Sequence, residues 1–227
     1  KPLTEEDAWA IRDGCPSVEV VSPVLEIFNF FSSVRAGGER MESPRVRAGY
    51  PEVERAWNLV VREGRFFNDI ENSHRVDVAV IGHEVAQALF PNRKAEGKQI
   101  DVAGVRLRVI GVLEKHKQGP LGEGNQEDQI IWIPYGAFRK HYPRIDDHLI
   151  IVAAKAGKLR EAQEEISDVL RRRRKVRWNE DDNFEQATAD SIIETFDSIV
   201  FGAVAVMIIM SSVAFMVGGV GVMNIML

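Results

Sequence analysis

His83-Glu84-Val85-Ala86-Gln87 comes within one side chain of the helix that zinc proteases use. That helix holds zinc with two histidines at i and i+4, which places both rings on one face. Gln87 stands at the second position, so the second ligand is missing, and His83 is expected to be a surface or capping residue. His74, His116, His141 and His148 show no ligand spacing. The stretch GPLGEG, Gly119 to Gly124, is rich in glycine. No Lys-Ser/Thr follows it and no strand-to-helix setting surrounds it, so a loop is expected rather than a phosphate cradle. Arg171 to Lys175 (RRRRK) is the one strong charge run. It has the chemistry to meet nucleic acid or anionic headgroups, but it closes a predicted helix, where cations complement the negative end of the dipole. A solvated helix end is the expectation. Cys15 beside Pro16 reads as a small buried apolar residue. No catalytic, cofactor or metal site is expected in this chain.

The elements that would carry these residues fall into two compositional parts. The chain has 227 residues, 45% hydrophobic and 28% charged, which suits one large or two small folded domains and excludes a disordered chain. One cysteine excludes an internal disulfide framework, and a net charge of −5 gives no reason to expect nucleic acid. Every charged residue lies between Lys1 and Asp197, and the 30 residues from Ser198 to Leu227 carry none. A helix of that length would reach about 45 Å, beyond the roughly 30 Å hydrocarbon core, so a transmembrane helix is expected. Lys1 is no initiator and Leu227 ends the apolar run without an interfacial anchor, as in a fragment of a larger membrane protein. The 50 residues from Trp178 onward contain no Lys or Arg, which argues for a folded part outside the cytoplasm.

Along the folded part, Thr4 before Glu5-Glu6-Asp7 predicts a capped helix to about Asp13. Val18 to Phe31 reads as a strand and Ala36 to Pro44 as a turn. Trp57 to Arg65 leads into a β-rich region. Val76 to Gly82 is a short strand there, and His83 to Phe90 has helical spacing until Pro91. Ile100 to Val102 and Val105 to Val109 flank Ala103-Gly104 as a hairpin, and Gln129 to Ile133 is a further strand. Lys115 to Asp128 reads as a polar loop. Leu149 to Ala154 is an apolar strand, followed by a helix with Leu159, Ile166, Val169 and Leu170 on one stripe. Ser191 to Glu194 forms a capping box, and Ile192, Phe196 and Ile199 continue one face into the apolar run. Within the run, Ser198/Gly202 and Ala214/Gly218 are small residues four apart, with Ser211, Ser212, Gly219 and Gly221 beside them. Small residues let membrane helices approach, and Asn224 needs a hydrogen-bond partner in lipid, so packing against other helices is expected.

Three motifs carry a resemblance. Glu63-Gly-Arg-Phe-Phe67, VAVIGHEVAQALFP (Val78 to Pro91) and GKQIDVAGVRLRVIGVL (Gly97 to Leu113) resemble the periplasmic core domain of MacB-like ABC-transporter permeases. GGVGVMNIML (Gly218 to Leu227) is similar to the start of the FtsX-like permease region of that family. The resemblance implies an α+β fold. A porter-like α/β subdomain would form from residues 1–62 and 140–190, and a β-rich, sabre-like subdomain from 63–139. Residues 191–227 would be a stalk and the second transmembrane helix of the full protein. It also implies that ATP and Mg are bound by a nucleotide-binding domain or subunit, since no Walker motif occurs in this sequence. The permease would work as a dimer in the inner membrane, with residues to about 190 in the periplasm. It would transmit ATP-driven closure to that side, with a periplasmic adaptor and an outer-membrane duct as further partners. Phe196, Ile199, Gly202, Ala214, Gly218, Gly219, Gly221 and Asn224 would carry packing and coupling in lipid. Lipoprotein release, peptide sensing and hydrolase regulation are the alternative roles within the superfamily.

Overall fold

A computed structural model of the chain describes residues 2–27, 33–91, 93–115, 126–188 and 200–212. It comprises two units, residues 1–184 and 185–227.

In the first unit, helix α1 (Glu5–Gly14) starts at a capping box. The Thr4 hydroxyl accepts from the Asp7 amide at 3.3 Å, and the Asp7 carboxylate accepts from the Thr4 amide at 3.2 Å. Strand β1 (Val18–Ile27) follows. Strands β2 (Ser33–Ala36) and β3 (Glu39–Glu42) form a hairpin across Gly37-Gly38, where Gly37 has φ +61°. This corrects the expectation of a plain turn over 36–44: the turn proper is two residues, and Glu-Arg-Met-Glu is a strand. It has no apolar alternation because it is an edge, where charge discourages pairing with another chain.

The central elements are β4 (Arg45–Gly49), the helical turn α2 (Val53–Ala56), β5 (Val61–Gly64), α3 (Asp69–Ser73), β6 (Val78–Ile81) and α4 (His83–Leu89). Next come β7 (Gln99–Val102), β8 (Val105–Leu113), β9 (Ile130–Pro134) and α5 (Tyr135–His141). The β7–β8 turn is Ala103-Gly104, with φ +51° and +87°, the geometry a two-residue hairpin needs. The chain closes the unit with β10 (His148–Ala154) and α6 (Leu159–Arg174).

The sheet runs β10-β1-β4-β9-β6-β8-β7-β2-β3, with β5 pairing β8 as well. β4/β9 and β6/β8 are parallel, and the other pairs are antiparallel. β6 and β9 are buried on both faces: Ala79, Ile81, Ile131 and Ile133 join one cluster, while Val78, Val80, Ile130 and Trp132 join the other. At one end, stretches more than 100 residues apart build a single layer. β1 pairs β10, and α1 and α6 bury Ala8, Ile11, Cys15, Val21, Ile166 and Leu170 between them. Cys15 is buried there as its setting beside Pro16 suggested.

β5 and β8 approach so closely that two glycines are required. A Cβ on Gly64 would sit 2.2 Å from the Ile110 carbonyl oxygen, and one on Gly111 would sit 2.4 Å from that of Arg65.

In the second unit, residues 200–212 are helical, with Phe201, Ile208, Ile209 and Met210 well exposed. No helix among the described residues is long and apolar enough to cross a membrane. Ser198, Ile199 and residues 213–227 of the apolar run, and the capping box at Ser191, lie outside the described residues.

Candidate functional site

The C-terminal turn of α6 is where the sequence concentrates cations: Arg172, Arg173 and Lys175 are exposed, as expected of a solvated end, while Arg171 and Arg174 are partly buried. Lys175 takes a left-handed conformation (φ 55°) and the Val176 amide returns to the Arg171 carbonyl at 3.0 Å, so the chain reverses. Residues 177–183 then come back onto the arginines. Arg171 pairs with Asp182 and donates to the carbonyls of Arg177 (2.6 Å) and Glu180 (3.0 Å). Arg174 donates from Nε to Asn183 Oδ1 at 2.6 Å, and from its terminal nitrogen to Asp7 Oδ2 at 3.2 Å and the Pro2 carbonyl at 3.3 Å. Arg173 Nε donates to Asp7 Oδ1 at 2.7 Å. The Arg174 and Asp7 side chains are 2% and 7% exposed. Phe184 packs on the α1–α6 cluster. The arginine run is thus a clamp that ties the segment leading towards the apolar run onto α1 and α6. One of its partners, Asp7, lies over 160 residues away, which hides that tie when the run is read along the chain.

A second polar junction joins α1 to the sheet. Glu5 Oε1 accepts from Tyr50 at 2.5 Å and from the Trp9 indole at 3.3 Å, while Tyr135 Oη lies 2.8 Å from Glu5 Oε2. Burial and then the Glu5 carboxylate push the Tyr50 hydroxyl far above its usual range. Burial pushes that of Tyr135 up to about 12, with Glu5 adding to the rise and Arg139 opposing it.

His83 opens α4 and lines an open groove of about 530 Å³ with Gln87, Arg62, Glu63, Phe90 and Arg93. No group of three or more His, Cys, Asp or Glu among the described residues is placed to hold a metal. Of the expected packing residues, Gly202 lies within helix 200–212, and a Cβ there would meet nothing within 4 Å. Phe196, Ile199, Ala214, Gly218, Gly219, Gly221 and Asn224 lie outside the described residues.

The fold defines the class as a mixed α+β domain whose end layer joins the first and last elements of the folded unit. The chain belongs to the MacB-like periplasmic core domain family, whose pattern it matches over residues 1–169. It is 30% identical over 177 residues to the macrolide export ATP-binding/permease protein MacB of Marinobacter nauticus, which covers 77% of this chain and 26% of that protein. It is 31% identical over 235 residues to the pyoverdine export ATP-binding/permease protein PvdT of Pseudomonas aeruginosa, covering 99% of this chain and 33% of the relative. The chain therefore spans about a quarter to a third of the curated relatives it matches. Its fold is similar to the periplasmic region of MacB from Actinobacillus actinomycetemcomitans, with TM-score 0.68, 16% identity and 87% and 84% of the two chains covered. It is also similar to the extracellular domain of the transporter YknZ from Gram-positive bacteria, with TM-score 0.62, 20% identity and 77% and 86% covered.

Proposed function

We propose that this chain is the extracytoplasmic domain and adjoining membrane segment of an export-type ABC permease, and that the arginine clamp transmits force between the two. ATP and Mg would be bound by a nucleotide-binding domain or subunit of the same transporter. Residues to about 190 would lie outside the cytoplasmic membrane, and the apolar run would be a transmembrane helix of a dimeric permease. An adaptor and an outer duct would receive the cargo. The names and functions of the relatives as export ATP-binding/permease proteins support this reading. The division into a porter-like layer (1–62 with 140–190) and a β-rich sabre-like part (63–139) accords with β1 pairing β10 and with α1 on α6.

The observation that carries the mechanism is the hold of Arg171 and Arg174 on Asp182 and Asn183, at the end of the folded unit and ahead of the apolar run. A push on the helix would reach α1 and α6 through those guanidinium groups, and no Gly or Pro interrupts residues 191–201 to absorb it. The test uses the full transporter with its ATPase. In Arg171→Ala/Arg174→Ala, export is expected to fall while ATP hydrolysis continues. Phe196→Pro or Ile199→Pro is expected to uncouple in the same way by breaking the lever. Unchanged export in all of these variants would reject the mechanism.

A further inference from the structure

The groove beside α4 has two kinds of lining. Its floor is apolar. Ala86 and Phe90 pack on the core cluster yet stay half-buried, and Ala95 and Val112 beside them are 3% and 4% exposed. Its polar lining is cationic. The Phe90 carbonyl accepts from the Arg93 amide at 3.1 Å, so the chain turns back at the end of α4 and brings Arg93 and Lys94 to the groove. Arg62 of β5 joins them. All three side chains are exposed, and among the described residues none of them has an ion pair. Glu63 is the one carboxylate in the lining, so three cations stand against one anion. Glu84 of α4 is engaged by Gln129, whose amide it accepts at 2.7 Å.

His83 and Gln87 stand one helical turn apart and both line this groove. The pair that lacks the second zinc ligand therefore supplies an imidazole and an amide, each able to donate a hydrogen bond, to a concave surface rich in cations. An apolar floor keeps water from one side of such cations and strengthens their attraction for an anion. A bare phosphate would leave the floor wet, and a neutral hydrocarbon would leave the cations unused.

We propose that this groove is a binding site for a small amphiphilic anion, an apolar body bearing one carboxylate or sulfonate. The body would lie on Ala86, Phe90 and Val112. Its acid group would meet Arg62, Arg93 and Lys94, with His83 and Gln87 donating to it. The volume of about 530 Å³ falls within the ~300–1,000 Å³ of small-molecule sites. Every residue named belongs to the first unit, so the site depends neither on the apolar run nor on the transport reading.

The test places the full chain in nanodiscs of neutral phosphatidylcholine and measures binding of 2-naphthalenesulfonate by equilibrium dialysis, with empty discs as the blank. One saturable site is expected. Neutral 2-naphthol should bind about tenfold more weakly or worse, and so should the sulfonate to Arg62→Ala/Arg93→Ala/Lys94→Ala. Gln87→Glu, which sets a carboxylate at an exposed position of the same groove, should weaken it to a similar extent. Arg12→Ala/Arg55→Ala/Arg160→Ala removes three exposed cations from α1, α2 and α6, and should keep the wild-type affinity within about twofold. All of these positions are exposed, so the variants retain the core. The site is overturned by no saturable binding, by equal affinity for 2-naphthol, or by wild-type affinity in the groove variants. An equal loss in the control variant would also overturn it, because the cause would then be overall charge.

Discussion

The layer built from the two chain ends and the middle of the sheet are held together by different forces. In the middle, β6 and β9 are apolar at every position from Val78 to Ile81 and from Ile130 to Ile133, and Trp132 is wholly buried. Burial of that kind is non-directional and changes little with pH or salt. At the end, α1 and α6 share a smaller apolar cluster and depend on directed polar ties: Asp7 to two arginines, Glu5 to two tyrosines, and Ser17 to the Glu165 carboxylate through amide and hydroxyl, both at 2.9 Å. Such ties depend on geometry and protonation, so one lost partner leaves the other with its desolvation cost. A rigid sheet beside a conditionally attached helix layer is a division that would suit the proposed movement of the domain from one end. That layer is also the one onto which the segment before the apolar run is clamped.

The largest effect belongs to the middle. Trp132→Ala removes a fully buried indole that packs between Trp57, Val78 and Ile130, and should cost roughly 4 kcal/mol in urea unfolding. Every amide should lose protection together, because the sheet is common to all of the unit. Asp7→Ala should come next, at about 3 kcal/mol, since it takes from Arg173 and Arg174 the carboxylate they share in a nearly closed site and removes the α1 capping partner. Here hydrogen exchange separates the two regions. Amides of α1 and α6 should lose protection while those of β6 and β9 keep theirs. Uniform loss in Asp7→Ala would erase the contrast.

A third effect sharpens the contrast by pH. Glu71 receives two hydrogen bonds from Arg65 at 2.7 Å and one from the Asn68 amide at 3.1 Å. The Arg65 bonds are the main cause that holds its carboxyl below the usual range, against burial. A lowered folded value means stability that is present above the unfolded carboxylate range, ~4.3, and lost as pH falls through the lowered one. Glu71→Gln should therefore flatten part of the acid limb of the stability profile.

What could be read from the sequence was local. The Thr4 N-cap, the Ala103-Gly104 hairpin and the α6 stripe each rest on residues within a few positions of one another, and the structure has them where expected. β3 was hidden because an edge strand shows no apolar alternation, and β4 because its partners β1 and β9 are distant. Arg45-Val-Arg-Ala-Gly looks unfit for a central strand, yet Arg47 is buried against Glu26 at 2.6 Å with its guanidinium over Trp57 at 4.5 Å. α3, with five residues, is too short to show a period. The Asp7 half of the clamp was missed for the same reason as β4, since Asp7 stands opposite Arg173 and Arg174 only after α1 and α6 pack; the half at Asp182 and Asn183 depends on the chain reversal at Lys175.

The smallest expected effect tests whether burial or polarity gives a tie its weight. Arg55 of α2 reaches Glu19 of β1 at 3.1 Å, a distance as good as that of Arg174 to Asp7. Its side chains are 72% and 51% exposed, so water already satisfies both charges and added salt screens what remains. Arg55→Ala should change stability by less than about 0.5 kcal/mol, and that change should vanish at high salt. A loss comparable to that of Asp7→Ala would mean that the end layer is held by the number of its ion pairs, exposed ones included. A negligible loss would leave the few closed contacts around Asp7 and Glu5 as what fastens α1 to the sheet, and would confine the conditional behaviour of the domain to those two residues and their partners.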